Sequence, residues 1–540
     1  MEQFYPYHFN RSHTIYTVSR IHMPELLKEF RGIDENNIDN AASAAQQAYH
    51  EEMSRRRLTA DLLQNGPKES AVINEYITLK QHQQLARELA KVNDKYAFFY
   101  DTRTGKTALS LSIINDDLAE HPEHKWLIIC PLYLINRAWL KDRDDFFKNM
   151  YIVNCYAKTK QARIDKIFSI GNVYITNTES FITYREYFEK LHFHGCFVDE
   201  SSDLKSNKSK VSEEVVNFAL NLQRFYLLSG TPAPNGEHEY YMQLRCIDYY
   251  GIQQSYSQFT NRYFYDTSRN HHYQKWVLLP HKKDELDKLI ARYAIYVDKE
   301  DVLDTPGRSF EEVSFSLPDD IHQQYNLLKN ELYVQLQNER KITVANVAAK
   351  INKLNQVSSG FIIDTKAVKE NKFFGEDKQE VYLLSYYRFE KLKELLDSFG
   401  NEQVIIWAYY RKEIETIAEM LGNKCAYVYG GLTPEKKDNA IVSYMNKQVQ
   451  YLVAHPDSCG KGLTMVVGHI AVYFSLNYSF ESFKQSYDRI YADKAIQPHF
   501  CKYYIMLARG TIEPLIYKNV LLGKQDVCMV TLNHLKSAAI

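Results

Sequence analysis

The chain has 540 residues, with 66 basic against 67 acidic side chains and a formal charge of −1. At ~150 residues per domain it holds three or four domain-sized units, or two larger ones carrying insertions. Near-neutrality excludes a global pull towards nucleic acid or anionic membrane, so any such partner must be met by a local basic groove.

The 45% hydrophobic and 25% charged residues are the balance of a globular protein with a large core. The longest apolar stretches, such as WLIICPLYLI (126–135), are too short to cross a bilayer, and MEQFYPYHFNR at the start lacks a signal-peptide core. Eight cysteines without zinc-knuckle or disulfide-framework spacing suit a reduced setting. The expectation is a cytoplasmic protein with no membrane partner.

Along the chain, residues 1–75 form an N-terminal extension with mostly helical patterning that ends at the turn Asn65-Gly66-Pro67. Arg55, Arg56 and Arg57 offer a phosphate-binding spot, although such a run is more commonly a solvated helix face. From residue 76 short β-rich runs alternate with amphipathic helical stretches: YAFFYD (96–101), KWLIICP (125–131), NVYITN (172–177), GCFVDE (195–200) and RFYLLSG (224–230). Runs that are apolar on both faces, with helices between them, predict a parallel sheet of the α/β class. Residues 236–380 read as charged and mostly helical. Alternation resumes with QVIIWAY (403–409), CAYVYG (425–430), VQYLVAH (449–455), HIAVYFSLN (469–477) and CKYYIMLA (501–508). The expected organisation is an extension over 1–75 and a first α/β lobe over 76–310, with a helical insertion from about 236. A helical linker over 311–380 and a second α/β lobe over 381–540 complete it.

The strongest local signal is YDTRTGKTALSLSII (100–114), a strand end running into a helix start. A phosphate-binding loop needs backbone N–H groups at a helix N-terminus, a lysine for the β/γ-phosphates and a hydroxyl for Mg²⁺. Thr104, Gly105, Lys106 and Thr107 supply these in the required order. CFVDE then ends another β run, where Asp199 would join Thr107 in holding Mg²⁺ and Glu200 would orient the attacking water. Alone, Gly-Lys-Thr is a chance tripeptide and Asp-Glu an acidic turn; together they predict a site for ATP and Mg²⁺.

The order of motifs resembles the superfamily-two helicase-like ATPases and, within them, the SWI/SNF family of DNA translocases, in a compact viral or bacterial (phage) form. LKQHQQLA (79–86) resembles the adenine-reading motif, with Gln83 in its glutamine position. IICPLYLINRAW (128–139), ITNTES (175–180) and RFYLLSGTPAPNGEHEYYMQL (224–244) resemble its first-lobe motifs, the last through Ser-Gly-Thr-Pro. QVIIWAYYRKEIETI (403–417), HPDSCGKGLTM (455–465) and YFSLNYSFESFKQSYDRIYADK (473–494) resemble those of the second lobe. The resemblance covers roughly residues 76–530. It implies two RecA-like lobes that bind ATP between them and a backbone-tracking grip on DNA with little sequence preference. It also implies Gly460 in the nucleotide site and Gln485 and Arg489 beside Lys106 and Glu200 in catalysis. The implied DNA-facing residues are Arg137, Thr176, Ser229, Thr231, Arg411, Lys461, Thr464 and Asn477.

Three positions depart from that pattern. Arg103 stands where relatives usually have Gly. The Asp-Glu box ends in Ser201 and Ser202 where a His usually couples it to Ser-Gly-Thr-Pro, and Ser202 is the expected substitute. Ala492 stands where a second arginine is expected, three residues after Arg489. Replacement of that cation by Arg489, Lys494 or Arg103, a slow enzyme or one activated by a protein partner, and an alteration that traps a bound state are the open readings. If the missing cation limits turnover, Ala492→Arg raises ATP hydrolysis. The function implied is an ATP-dependent double-stranded DNA translocase acting on protein–DNA complexes or branched DNA. A strand-separating helicase and a nucleotide-gated DNA-binding scaffold with weak hydrolysis are the alternatives.

Overall fold

The computed structural model describes residues 7–9, 16–18, 35–67, 72–252, 255–267, 276–338, 344–364, 380–459, 464–476 and 479–518. The chain divides into two compact units, one over 1–267 and 275–303, the other over 268–274 and 304–540.

The first unit is built on seven parallel strands: β1 (Lys95–Tyr100), β2 (Trp126–Cys130), β3 (Ile152–Asn154), β4 (Val173–Asn177), β5 (Gly195–Asp199), β6 (Arg224–Leu228) and β7 (Ala294–Val297). Their order is β7-β1-β6-β5-β2-β4-β3. The two-residue alternation of a strand explains why both faces are apolar. Tyr96, Phe98 and Tyr100 of β1 join Ile128 and Tyr226 in one core, whereas Ala97 and Phe99 join Leu127, Ile129 and Leu227 in the other. Helix α1 (Glu35–Asn65) belongs to this unit, as do α2 (Gln81–Val92) and α3 (Lys106–Glu120). In α1, Glu52 accepts from Arg56 Nε at 2.6 Å and also pairs with Arg55, so two of the three arginines expected at a phosphate spot are engaged within their own helix.

The second unit repeats the scheme with β8 (Arg308–Ser316), β9 (Val404–Trp407), β10 (Cys425–Val428), β11 (Tyr451–Ala454), β12 (Ile470–Tyr473) and β13 (Cys501–Arg509). All pair in parallel in the order β8-β13-β12-β9-β11-β10. Ile405, Trp407, Leu452 and Ile505 face one core and Val404, Ile406, Val453 and Met506 the other.

The interior of the second lobe also holds an ion pair. Arg388, from α4 (Tyr387–Asp397), is 2% exposed. It donates to Glu513 Oε1 at 2.7 Å, to the Phe474 carbonyl at 2.8 Å and to the Met506 carbonyl at 3.1 Å. Glu513 also accepts from Ser358 Oγ at 2.5 Å and from the Ala508 amide at 2.9 Å. The pair thus joins α4, the last residue of the helix Val344–Ser358, the residue after β12 and strand β13.

The lobe boundaries differ from the sequence reading. Residues 311–380 are not a purely helical linker, because β8 starts the second sheet before Asp319–Asn338 and Val344–Ser358 form helices. β8 lies at the sheet edge and leaves Glu311 and Glu312 exposed, so a charged pair interrupts the alternation that marks a strand. Likewise the stretch from about 236 is not all helix. Phe264–Asp266 pairs antiparallel with Trp276–Leu278, and β7 completes the first sheet next to β1.

Candidate nucleotide site

The site residues of the first lobe gather where the parallel strands end. β1 finishes at Tyr100, the loop 101–105 turns, and α3 begins at Lys106. Gly105 is the N-cap of α3 at φ 79°, a left-handed conformation natural to glycine. No side chain caps the helix and no acidic residue lies in its first turn. The leading N–H groups and the positive end of the helix dipole are therefore available to an anion. A Cβ at Gly105 would meet Gln83 Nε2, so any larger residue would also have to move the amide that ties α2 to the loop.

The loop is held from below by α2. Gln83 Oε1 accepts from the Lys80 amide at 2.9 Å while its Nε2 donates to the Gly105 carbonyl at 3.1 Å. Both ends of this amide are engaged, so Gln83 is seen tying α2 to the loop, and reading a base would require it to exchange those bonds. His82 reinforces the tie, its Nε2 lying 2.8 Å from the Thr104 carbonyl. Burial lowers the pKa of His82, so the ring is neutral, and a carbonyl partner makes Nε2 the protonated nitrogen. Thr104 uses its hydroxyl within the loop, donating to the Asp101 carbonyl at 2.7 Å. Lys106 Nζ folds back onto the carbonyls of Tyr100 at 2.8 Å and Asp101 at 3.1 Å. Those are neutral acceptors that a phosphate oxygen would outcompete by charge. Thr107 follows in the first turn, half-buried.

Asp199 ends β5, level with Leu228 of β6, whose other neighbour is Phe98 of β1. It is 7% exposed, accepts from Trp139 Nε1 at 3.0 Å through Oδ2, and turns Oδ1 to the Glu200 amide at 2.9 Å. Trp139 comes from a five-residue π-helical turn, Ile135–Trp139, which re-aims the chain after β2. Glu200 follows at φ 55°, an unusual conformation for a non-glycine residue. Beside it, Gly230 lies so close to the loop that an added Cβ would sit 3.3 Å from the Thr102 amide. The Ser-Gly-Thr-Pro segment therefore touches the phosphate loop directly. The uncapped helix start, Lys106, Thr107 and the carboxylates of Asp199 and Glu200 form a donor set suited to a nucleotide phosphate with Mg²⁺.

Several expectations change. Ser229 is fully buried and accepts from the Thr231 amide at 3.1 Å, so it supports the turn and cannot meet DNA. Thr176, also at 0% exposure, is a sheet residue of β4 with the same consequence. The hydrogen bond from the Asp-Glu box toward Ser-Gly-Thr-Pro is made by Ser201 rather than Ser202. Ser201 Oγ donates to Gln243 Oε1 at 2.8 Å, and Gln243 Nε2 donates to the Pro232 carbonyl at 2.7 Å. That bridge joins the box to Ser-Gly-Thr-Pro through a residue that sequence reading missed, because Gln243 lies 42 positions beyond Ser201. Trp139 and His82 were missed for the same reason, although both stand inside the quoted motifs. Arg103 occupies φ 66°, the conformation for which the usual glycine is suited.

In the second lobe, Arg489 is 3% exposed and its carbonyl accepts from the Met465 amide at 2.7 Å. Gln485 is half-buried and donates to Glu481 Oε1 at 3.1 Å. Ala492 is buried, and Lys494 pairs with Asp304 Oδ1 at 2.7 Å. Arg411 is exposed at the start of a helix, bonded to Glu415 at 2.8 Å and lying over the Tyr429 ring. Arg137 in the π-turn, Thr231 and Thr464 are half-buried. Gly460, Lys461 and Asn477 lie outside the described residues. Among the described residues no helix is long and apolar enough to cross a membrane.

Comparison with known proteins agrees with this geometry. The SNF2-related domain model matches residues 45–361 and the helicase conserved C-terminal domain model matches residues 387–492. Protein p41 of Acyrthosiphon pisum secondary endosymbiont phage 1 is 22% identical over 401 residues, covering 72% of this chain and 82% of that protein. The SWI/SNF-related matrix-associated actin-dependent regulator of chromatin subfamily A-like protein 1 of Drosophila melanogaster is 22% identical over 445 residues, 78% of this chain. The chain spans about half, 52%, of that protein's length. The Sulfolobus solfataricus SWI2/SNF2 ATPase core, solved in complex with dsDNA, aligns at 16% identity and TM-score 0.38, covering 83% of this chain and 92% of that one. With the SNF2-related domain model matching residues 45–361 and the helicase C-terminal model matching residues 387–492, the chain belongs to the SNF2-related family of superfamily-two, helicase-like DNA-dependent ATPases.

Proposed function

We propose that this protein translocates on double-stranded DNA by hydrolysing ATP, displacing bound proteins or moving branch points. The observation that carries the reading is the strand-end constellation of the first lobe: an uncapped helix start and Lys106 after β1, and the Asp199-Glu200 pair at the end of β5, with β6 between the two strands. In this reading the α3 N–H groups and Lys106 bind the β- and γ-phosphates and offset their charge as it shifts in the transition state. Thr107 and Asp199 would hold Mg²⁺, which supplies charge neutralisation between the phosphates when bound. Glu200, held at its unusual φ, orients the attacking water and takes its proton. Trp139 positions Asp199, and Gln83 with His82 positions the loop. The Ser201–Gln243–Pro232 bridge transmits a change at Glu200 to the segment after β6. Arg411, Arg137, Thr231 and Thr464, with Lys461 and Asn477, are the proposed contacts to the DNA backbone, where cations and hydroxyls position without reading sequence.

One observation favours a second reading, slow turnover or dependence on a protein activator. Arg489 and Ala492 are both buried, so that segment of the second lobe presents no exposed guanidinium. The test measures ATP hydrolysis without nucleic acid and with single-stranded, duplex and branched DNA and RNA, beside Lys106→Ala and Glu200→Gln. Stimulation by duplex or branched DNA that vanishes in both variants supports the translocase. ATP binding without hydrolysis on every substrate supports the gated binder. Separated strands from a forked duplex identify a helicase.

A further inference from the structure

The far end of α3 carries a second cluster of chemistry. Asp117, in its last turn, is 5% exposed. His124, in the turn before β2, places Nδ1 at 3.0 Å from Asp117 Oδ2, and His194, just before β5, places Nε2 at 3.7 Å from Oδ1. The two imidazoles stack with centroids 3.6 Å apart and planes within 10°, and His121 stacks on the outer face of His124 at 4.5 Å. Glu123 lies 3.8 Å from His124 Nε2. All of this lies at the starts of β2 and β5, at the end of the strands opposite the phosphate loop.

We propose that Asp117, His124 and His194 form a binding site for a first-row divalent cation, Zn²⁺ by preference, with water as the fourth ligand.

Two arguments converge. The three donor atoms lie within 4.8 Å of one another. A tetrahedral ion with bonds of ~2.0–2.1 Å spans ligands about 3.4 Å apart, so the site closes when His124, half-buried before β2, turns out of its parallel stack on His194 and both ring nitrogens face the ion. Second, the carboxylate is already oriented from outside, since Trp126 Nε1 donates to Asp117 Oδ2 at 2.7 Å, the outer-shell support that metal-ligating groups require. The opposing charge is Arg224, with Nη1 3.5 Å from Asp117 Oδ1; its Nε is 3.9 Å from Asp94, a second carboxylate that holds the guanidinium when the ion enters. An N₂O set suits Zn²⁺ over Mg²⁺ or Ca²⁺, which take oxygen. A bound ion would clamp the end of the helix that starts at the phosphate loop, roughly 22 Å away along the helix.

The test uses the full-length, untagged protein, stripped with a chelator and titrated with Co²⁺ and then Zn²⁺. One equivalent of Co²⁺ should develop the visible bands of a tetrahedral ion, Zn²⁺ should displace it, and Zn²⁺ at a hundredfold excess over Kd should raise Tm by about 5 °C. His194→Gln and His124→Gln should each weaken binding at least tenfold. His469→Gln, in a histidine pair of the second lobe (with His499, rings tilted and centroids 5.1 Å apart), should leave it unchanged. Circular dichroism checks each fold, and His124, in a turn, is the safer variant if His194→Gln does not fold. Absence of the bands, or bands that persist in the folded His124→Gln protein, overturns the proposal in favour of a purely hydrogen-bonded cluster.

Discussion

The two lobes share a sheet design and differ in where they keep their unusual features. In the first lobe these lie at strand ends. Arg103 at φ 66° lies in the phosphate loop, Glu200 at φ 55° follows β5, and a π-turn aims Trp139 at Asp199, while His192 at φ 50° stands in the segment before β5. In the second lobe the notable feature is internal, the buried Arg388–Glu513 pair, and its positive-φ non-glycine among the described residues is Lys447, in a turn. Strained backbone persists only where the surroundings over-determine it, and at Arg103 and Glu200 it coincides with the groups assigned to phosphate chemistry. A buried ion pair bonded to several segments fixes the arrangement of a lobe instead. Damage at the strand ends of the first lobe should therefore cost activity more than stability, and damage at the pair should do the reverse.

The largest effect should come from Lys106→Ala, which removes the cation from the proposed phosphate site. We expect ATP hydrolysis to fall by about 10²–10³-fold or more with the unfolding midpoint nearly unchanged. A variant that loses stability and activity together would erase the contrast between lobes. Conversely, Arg388→Ala leaves Glu513 buried without its cation and should destabilise the second lobe by about 3–5 kcal/mol in urea unfolding. A loss below 1 kcal/mol would show that the pair does not hold the lobe together.

The bridge between the Asp-Glu box and the Ser-Gly-Thr-Pro segment sharpens the comparison within the first lobe. Ser201→Ala and Gln243→Ala should each cost about 1–3 kcal/mol, and the double variant should cost clearly less than their sum. Additive losses would mean that the two residues do not act as one unit. The smallest effect is at Arg103, where glycine removes the left-handed penalty and should raise stability by about 1 kcal/mol. If the arginine also serves ATP hydrolysis, Arg103→Gly will lower the DNA-stimulated rate as stability rises. At Ala492 burial changes the forecast. An arginine there must displace packed neighbours, so destabilisation of about 1–3 kcal/mol is expected before any gain in rate.

What could be read from the sequence was local. Gly105-Lys106-Thr107 and Asp199-Glu200 announce themselves because strand, turn and helix start are contiguous, and the doubly apolar runs place the central strands of both sheets. The edge strands β7 and β8 escaped because one side is exposed and Glu311-Glu312 breaks the alternation. Motif position likewise did not separate surface from core. Thr176 and Ser229 stand in DNA-facing motifs, yet both are fully buried in the folded lobe. The choice of Ser201 over Ser202 depended on Gln243, whose approach is set by tertiary packing and not by spacing.

The most direct test of the central claim is displacement of a triplex-forming third strand from duplex DNA by the purified protein. The account predicts ATP-dependent displacement that leaves the underlying duplex intact and is absent in Lys106→Ala. ATP hydrolysis stimulated by duplex DNA, with the third strand left in place whichever end it occupies, would contradict it.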